Sequence, residues 1–352
     1  MKRSFLLNWL PFENTATGAA IRAVELHERL SGEFNLTAAV TRDFPGDIAP
    51  GVEKNIFAAG RSLATRLSER SPGFWERHGS PDVWVSDTLP VPRFKSNIRT
   101  VLTVHDLRFL VNWKYLSLQR YLFLKLNMKA SLIRADVVIT VSRWIAEQII
   151  ETYGVSPEKL HVIPNAAASM PKVSLPDYTG RKYILTVGHL EPRKDHRTLL
   201  RAFAAVAGKW DGDLVVAGRG HLMEQLQSLA DELGVGSRVR FTGGVNLAEL
   251  SVLYAQSTCL VCPSVYEGFG MTLLEGMLAE LPVIASGIPP HREVAGESVL
   301  WFEPGDHEDL AETILRVLED HGSFDPNEGV RKARMYNWDE SAEMLASIYR
   351  GF

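Results

Sequence analysis

Cysteine is nearly absent from this sequence: of 352 residues only Cys259 and Cys262 carry a thiol. That excludes a disulfide framework and points to a reducing, cytoplasmic setting. Long hydrophobic runs are missing as well, and nothing approaches the roughly 18 to 20 apolar residues that cross a bilayer. Nor is there an excess of one charge. The 38 Lys and Arg stand against 42 Asp and Glu, for a net charge of -4, which gives no global argument for a nucleic-acid partner. An anionic ligand must therefore be held locally. The start, MKRSFLLNWLPFENT, is basic and then apolar, but Asn8, Pro11 and Glu13 interrupt it. Without a small-residue cleavage pattern it reads as a first β-strand rather than a signal peptide.

What remains is a composition of 45% hydrophobic and 23% charged residues, that of a soluble globular protein with about two domains of ordinary size. Short apolar runs alternate with helical patterns along the chain. Strands are expected at 4–9, 36–42, 82–86, 100–105, 136–141 and 159–163, and then at YILTVG, DLVVAG, RVRFTG, TCLVC, PVIAS and VLWF. Helices are expected at 19–30 and 116–134, among others. Such alternation builds parallel sheets flanked by helices, an α/β fold. PNAAASMPKVSLPDYTGRK, residues 164–182, has three prolines and no periodicity, as suits a linker. The expected domains are 1–168 and 169–336, facing across a cleft. The terminal helix, 337–352, opens near Asp339 and is either a lid on the second domain or a strap back to the first. Ligands of such sheets bind at the carboxyl ends of the strands, so a functional motif should follow a strand.

Two motifs meet that condition. In VGHLEPRKDHRTLL, Gly188 ends a strand, and Arg193 and Lys194 stand just ahead of a helix starting around His196. Adjacent cations beside a helix N-terminus form an anion site. A solvated basic turn is the plainer alternative, and the position after a strand favours the anion site. In CPSVYEGFGMTLLEG, Glu267 lies on the loop after a strand, and Glu275 lies one turn inside the next helix. Gly268 and Gly270 let backbone amides approach a ligand. Carboxylates for hydroxyls beside an amide-rich helix end suit a sugar joined to phosphate. Alone, Glu275 would equally be a helix glutamate stabilised by the dipole.

The pattern E-G-F-G-x-x-x-x-E-G-M, followed by P-V-I-A-S and preceded by G-x-L-x-P-R-K, resembles the retaining glycosyltransferases of family 4. The likeness covers nearly the whole chain. It implies the GT-B fold of two Rossmann-like domains and a nucleotide-diphosphate sugar as donor substrate. By this resemblance Glu275 binds the ribose hydroxyls and Glu267 the donor sugar. Amides around Phe269, Gly270 and Met271, with Thr272 beside them, hold sugar and phosphate, and Arg193 and Lys194 neutralise the leaving diphosphate. Gly188, Gly218, Gly220 and Gly243 border the nucleotide. In the first domain LTVHDLRFL matches the family's H-D element, which places His105 near donor sugar and acceptor with Asp106 beside it, and VIPNA puts Asn165 at the hinge. Gly18 belongs to the early glycine loop, where Ala19 stands in place of the family's second glycine. The implied catalytic set is His105, Arg193, Lys194 and Glu267.

The resemblance implies a hexose, mannose or glucose, moved from a GDP- or UDP-sugar to a glycan or lipid-linked acceptor. Rival readings are a GT-B epimerase or sugar phosphorylase, a hydrolase using both glutamates, and a non-catalytic sugar-nucleotide-binding protein. Asp211-Gly212-Asp213 imitates the D-x-D metal signature but precedes its strand. It reads as a turn, and no metal or other cofactor is expected. Cys259 and Cys262 imitate a metal pair, yet positions i and i+3 of a strand point to opposite faces. Finally, the segment from Trp113 to Arg134 carries Lys114, Arg120, Lys125, Lys129 and Arg134 with no acidic residue. It is either a helix with one face in the core, or an amphipathic helix resting on an anionic membrane. On the second reading the cytoplasmic protein sits at the inner membrane face.

Overall fold

A computed structural model of the chain describes residues 3–12, 17–42, 44, 49–58, 71–76, 81–94, 97–112, 115–171, 180–319 and 325–352. It divides into two compact units, the first formed by 1–165 together with 337–352, the second by 166–336.

The first unit is built on a parallel sheet of β1 (Ser4–Asn8), β2 (Asn35–Thr41), β3 (Glu53–Ala58), β4 (Val83–Ser86), β5 (Arg99–Val104), β6 (Val137–Thr140) and β7 (Leu160–Val162), in the order β3-β2-β1-β4-β5-β6-β7. The second carries β8 (Tyr183–Val187), β9 (Asp213–Ala217), β10 (Val239–Gly243), β11 (Cys259–Cys262), β12 (Val283–Ser286) and β13 (Leu300–Phe302), in the order β10-β9-β8-β11-β12-β13. Both are Rossmann-like sheets. In each, the first strand lies beside the fourth, and the strand order reverses there. At this switch point the loops leave in opposite directions and open a crevice beyond the strand ends.

Helices on both faces bury the strands, which is why β4, β9, β11 and β12 are buried at every residue and read as continuous apolar runs. Phe203, Leu199 and Leu200, from the helix His196–Ala207, pack with Ile184, Leu214, Val216 and Val261 in the second core. Burial stabilises each such side chain by about 1.5–3 kcal/mol. β3, absent from the sequence expectation, is one of the two edge strands of the first sheet. Its Glu53, Lys54 and Ile56 are exposed, so no apolar run marks it.

The helix Trp338–Arg350, capped by Asn337, straps back to the first unit. Its Tyr349 ring stacks on Phe5 at 4.4 Å, and its hydroxyl donates to His27 Nε2 at 3.0 Å, while His27 Nδ1 donates to the Ala23 carbonyl at 2.7 Å. Burial lowers the His27 pKa and favours this neutral tautomer. Ser341 Oγ donates to the Pro164 carbonyl at 2.9 Å, and Arg22 Nη1 donates to that same oxygen at 3.1 Å.

The helix Leu118–Arg134, capped by Ser117, buries only Met128, Ser131 and Leu132. Leu118, Leu122, Leu126 and Ile133 are 45–75% exposed. A core-facing stripe therefore exists only in its second half. Trp113 and Lys114 lie outside the described residues.

Candidate functional site

β8 ends at Val187, and its loop turns through a 3₁₀ segment, Pro192–Lys194, before Asp195 caps the helix His196–Ala207 from a left-handed conformation, φ 46°. The Asp195 carboxylate accepts from Thr198 Oγ1 at 2.7 Å. That cap fixes where the turn stops, and so where Arg193 and Lys194 point. β11, the neighbour of β8 across the switch point, leads through Ser264 to Glu267. The Val265 N–H donates to the Arg193 carbonyl at 2.8 Å, stitching the two loops together.

The side chains then converge. Glu267 takes Arg193 Nη1 on Oε2 at 2.6 Å, and Lys194 Nζ on Oε1 at 2.5 Å, with Ser264 Oγ donating to Oε1 at 2.9 Å. Arg193 also pairs with Glu191 at 2.6 Å. Two cations and two carboxylates, each at most 18% exposed, make a charge-balanced, nearly dry cluster. Burial pushes the Glu267 carboxyl up, but Arg193, Lys194 and His291 outweigh it and hold the group well below the usual carboxylate range. Glu267 is thus a fixed anion rather than a proton donor.

Around this cluster stand the ends of three adjacent strands. Gly188, Gly218 and Gly243 follow or close β8, β9 and β10. Gly188 faces the Lys194 side chain, and a Cβ on Gly218 would lie 1.8 Å from the Gly188 carbonyl oxygen. Only glycine permits that approach. Past Glu267, Phe269 is buried edge-on against Tyr336 at 5.5 Å. Gly270, at φ 108°, opens the helix Met271–Leu278, with Met271 and Thr272 half-buried in its first turn. Glu275 is one turn in. Its Oε2 accepts from Tyr254 Oη at 2.7 Å, and it also takes the Ala168 amide. Leu273, Leu274 and Met277 form the buried face of this helix, and Leu278 is exposed.

In the first unit, Gly18 starts the helix Gly18–Leu30, which Thr17 caps by accepting from the Ala20 N–H at 3.3 Å. His105 and Asp106 follow β5. His105 Nε2 lies 3.6 Å from Asp87 Oδ1, and Asp106 Oδ1 accepts from the Arg108 N–H at 3.2 Å. The buried Asn165 accepts from Arg22 Nη1 at 2.8 Å.

The imitators of metal sites separate cleanly. Asp213 opens β9 at the amino end of the sheet, paired with Arg240 at 3.1 Å and Arg181 at 3.4 Å, and Asp211 pairs with Arg181. Cys259 and Cys262 are buried thiols, pushed up to about 12 by burial. Among the described residues no group of three or more His, Cys, Asp or Glu gathers as a metal site.

Comparison with known proteins agrees with this layout. Residues 172–334 match the family described as Glycosyl transferases group 1, and residues 17–167 match Glycosyltransferase Family 4. The chain belongs to the family 4 glycosyltransferases. An uncharacterized glycosyltransferase of Methanocaldococcus jannaschii is 31% identical over 60% of this chain and 59% of its own length. O-antigen chain mannosyltransferase B of Escherichia coli is 27% identical over 72% of this chain and 70% of its own. The chain thus spans about three fifths to seven tenths of the length of these relatives. The structure of sucrose-phosphate synthase from Thermosynechococcus elongatus superposes with a TM-score of 0.80 at 22% identity, covering 99% of both chains, and so shares the GT-B fold.

Two residues of this glycosyltransferase lie at the site without having been singled out by sequence reasoning. Tyr254 holds Glu275. His291 is fully buried, its Nδ1 donating to the Ser286 carbonyl at 3.0 Å, and a Cβ on Gly270 would lie 3.0 Å from its ring. Burial lowers its pKa to about 4, against the pull of Glu267. Neither had a sequence signal: each is defined by a tertiary contact, with Tyr254 21 positions from its partner.

Proposed function

We propose that this chain is a retaining, metal-independent hexosyltransferase, moving mannose or glucose from a GDP- or UDP-sugar to a glycan or lipid-linked acceptor of polysaccharide assembly. The observation that carries the reading is the Arg193–Lys194–Glu267 cluster at the switch point, with Glu275 one turn into the adjoining helix. The similarity to an O-antigen mannosyltransferase supports mannose as the hexose. In the proposed reaction the bond from the anomeric carbon to the diphosphate oxygen breaks as the acceptor hydroxyl attacks from the same face. A phosphate oxygen takes the hydroxyl proton, and the products are a glycoside and a nucleoside diphosphate. Arg193 and Lys194, held in place by their carboxylates, stabilise the charge that grows on the diphosphate without reorganising. Glu275 holds the ribose.

The test is to screen GDP, UDP and ADP for thermal stabilisation, then follow the matching nucleotide sugar by proton NMR with acceptor and excess chelator. An α-linked product from an α-linked donor is expected, formed at the same rate with and without chelator. Turnover of the nucleotide sugar without acceptor would favour an epimerase, and chelator inactivation reversed by manganese would end the metal-independent reading.

A lipid-linked acceptor needs a route to the membrane, and the helix Leu118–Arg134 supplies the surface for one. Leu118, Leu122 and Leu126 recur every four residues on an exposed face, and the helix carries Arg120, Lys125, Lys129 and Arg134 without an acidic residue. Apolar area beside cations is the composition that binds anionic bilayers. Flotation with anionic vesicles is expected for the native chain, and lost at least roughly tenfold in Leu122→Ser/Leu126→Ser. Equal flotation with neutral and anionic vesicles would exclude the charge-dependent contact.

A further inference from the structure

The candidate ribose glutamate is held by a residue outside the sequence motif. Tyr254 lies in the last turns of the helix Leu247–Gln256 and is 2% exposed. A phenol hydroxyl at such depth needs a hydrogen-bond partner, and Tyr254 Oη has Glu275 Oε2 at 2.7 Å. The backbone that aims it is itself fixed. Tyr183, at the start of β8, donates its hydroxyl to the Leu253 carbonyl at 2.9 Å, and Ser257 Oγ donates to the Tyr254 carbonyl at 3.1 Å. The helix is opened by a capping box between Asn246 and Glu249. A rigid path therefore runs from the first strand of the sheet, through the end of one helix, to a carboxylate on another.

We infer that Tyr254 is a positioning residue for nucleotide binding: it fixes the rotamer and ionised form of Glu275, so that the carboxylate is presented to a vicinal diol before ligand arrives. The inference rests on the reading of Glu275 as the ribose-holding group. A carboxylate that accepts from two hydroxyls must be ionised and correctly turned, and an unheld glutamate would spend binding free energy on being ordered. The groups facing Glu275 are the Tyr254 hydroxyl, the Ala168 amide and the Lys194 ammonium, with the Cys262 thiol in its field. Burial raises its pKa, while Tyr254, Lys194 and Ala168 oppose the rise. Removing the hydroxyl leaves the effect of burial less opposed, so Glu275 takes its proton at higher pH.

The experiment is a calorimetric titration of the full chain with the nucleoside diphosphate that stabilises it, from about pH 5 to about pH 8, for native protein, Tyr254→Phe, Glu275→Ala and the double variant. Tyr254→Phe is expected to weaken nucleotide binding roughly tenfold, to move the acid midpoint of binding upward, and to add nothing in the Glu275→Ala background. If Glu275→Ala weakens binding while Tyr254→Phe leaves affinity and midpoint unmoved, the inference is wrong and the ribose reading stands. If Glu275→Ala binds nucleotide normally, both fall. A Tyr254→Phe loss that persists in the Glu275→Ala background also overturns the inference, since the hydroxyl then acts on something other than Glu275.

Discussion

Arg193→Ala is expected to lower the rate of sugar transfer on the order of 10² to 10³-fold, with the fold retained by circular dichroism. The magnitude is that of removing one pre-oriented donor from a developing negative charge. Arg193 has a second function that sharpens the test. It bonds Glu191 with Nη2 and Glu267 with Nη1, and Nη1 also donates to the Tyr266 carbonyl at 3.3 Å. Only a planar fork reaches all three. Arg193→Lys should therefore recover little activity although it keeps the charge. Single-turnover measurement of transfer, with nucleotide affinity measured alongside, checks the prediction. An Arg193→Lys variant within about threefold of native would show that charge alone matters and that the fork does not.

The parts of this molecule legible from sequence are those governed by local chemistry. Strands buried on both faces announce themselves as apolar runs, so β8, β9, β11 and β12 were anticipated, while the partly buried β10 and β13 show in the β-branched and aromatic residues of VRFTG and LWF. β3 was not, because an edge strand with Glu53, Lys54 and Ile56 facing water has no such run. The glycines at 188, 218 and 243 and the loop from Glu267 to Gly270 could be placed because each follows a strand, and strand ends are where open parallel sheets bind ligands. The state of those residues could not be read in the same way. The sequence expectation held Arg193 and Lys194 as an anion site and Glu267 as a sugar contact, whereas the structure ties all three into one cluster. That pairing depends on β8 and β11 being neighbours, which is set by topology rather than by spacing along the chain. Tyr254 and His291 are illegible for the same reason. A lone tyrosine or histidine in an apolar stretch is ordinary core material until its partner is known. In the first unit, Asn165 meets Arg22 across 143 positions of sequence and Tyr349 meets His27 across 322.

Glu267→Gln should abolish transfer and destabilise the second unit, and its pH dependence identifies the cause. The neutral amide removes the anion that two buried cations share; breaking a buried ion pair from one side costs about 3–5 kcal/mol, equivalent to roughly 10 °C in Tm for a unit of this size. The folded-state pKa of Glu267 is depressed, so its contribution is complete above the unfolded value of about 4.3 and is lost as pH falls below it. His291 and His196 act in a separate window. Burial lowers them to about 4 and about 3, below the ordinary 6.5, so between about pH 6.5 and pH 4 the unfolded chain binds protons that the folded chain does not, and stability is lost as the pH is lowered through that range. Urea unfolding at a series of pH values separates the two. The native protein should lose stability first through the histidine window and then more steeply below about pH 4.3. Glu267→Gln should start lower and keep the first loss. Without the opposing carboxylate His291 resists protonation further, so that loss is deeper. The second, steeper limb should be shallower, reduced to the part that other depressed carboxylates such as Asp82 and Asp87 supply. Superimposable acid limbs for the two proteins would mean that Glu267 is not the group whose ionisation holds Arg193 and Lys194 in place.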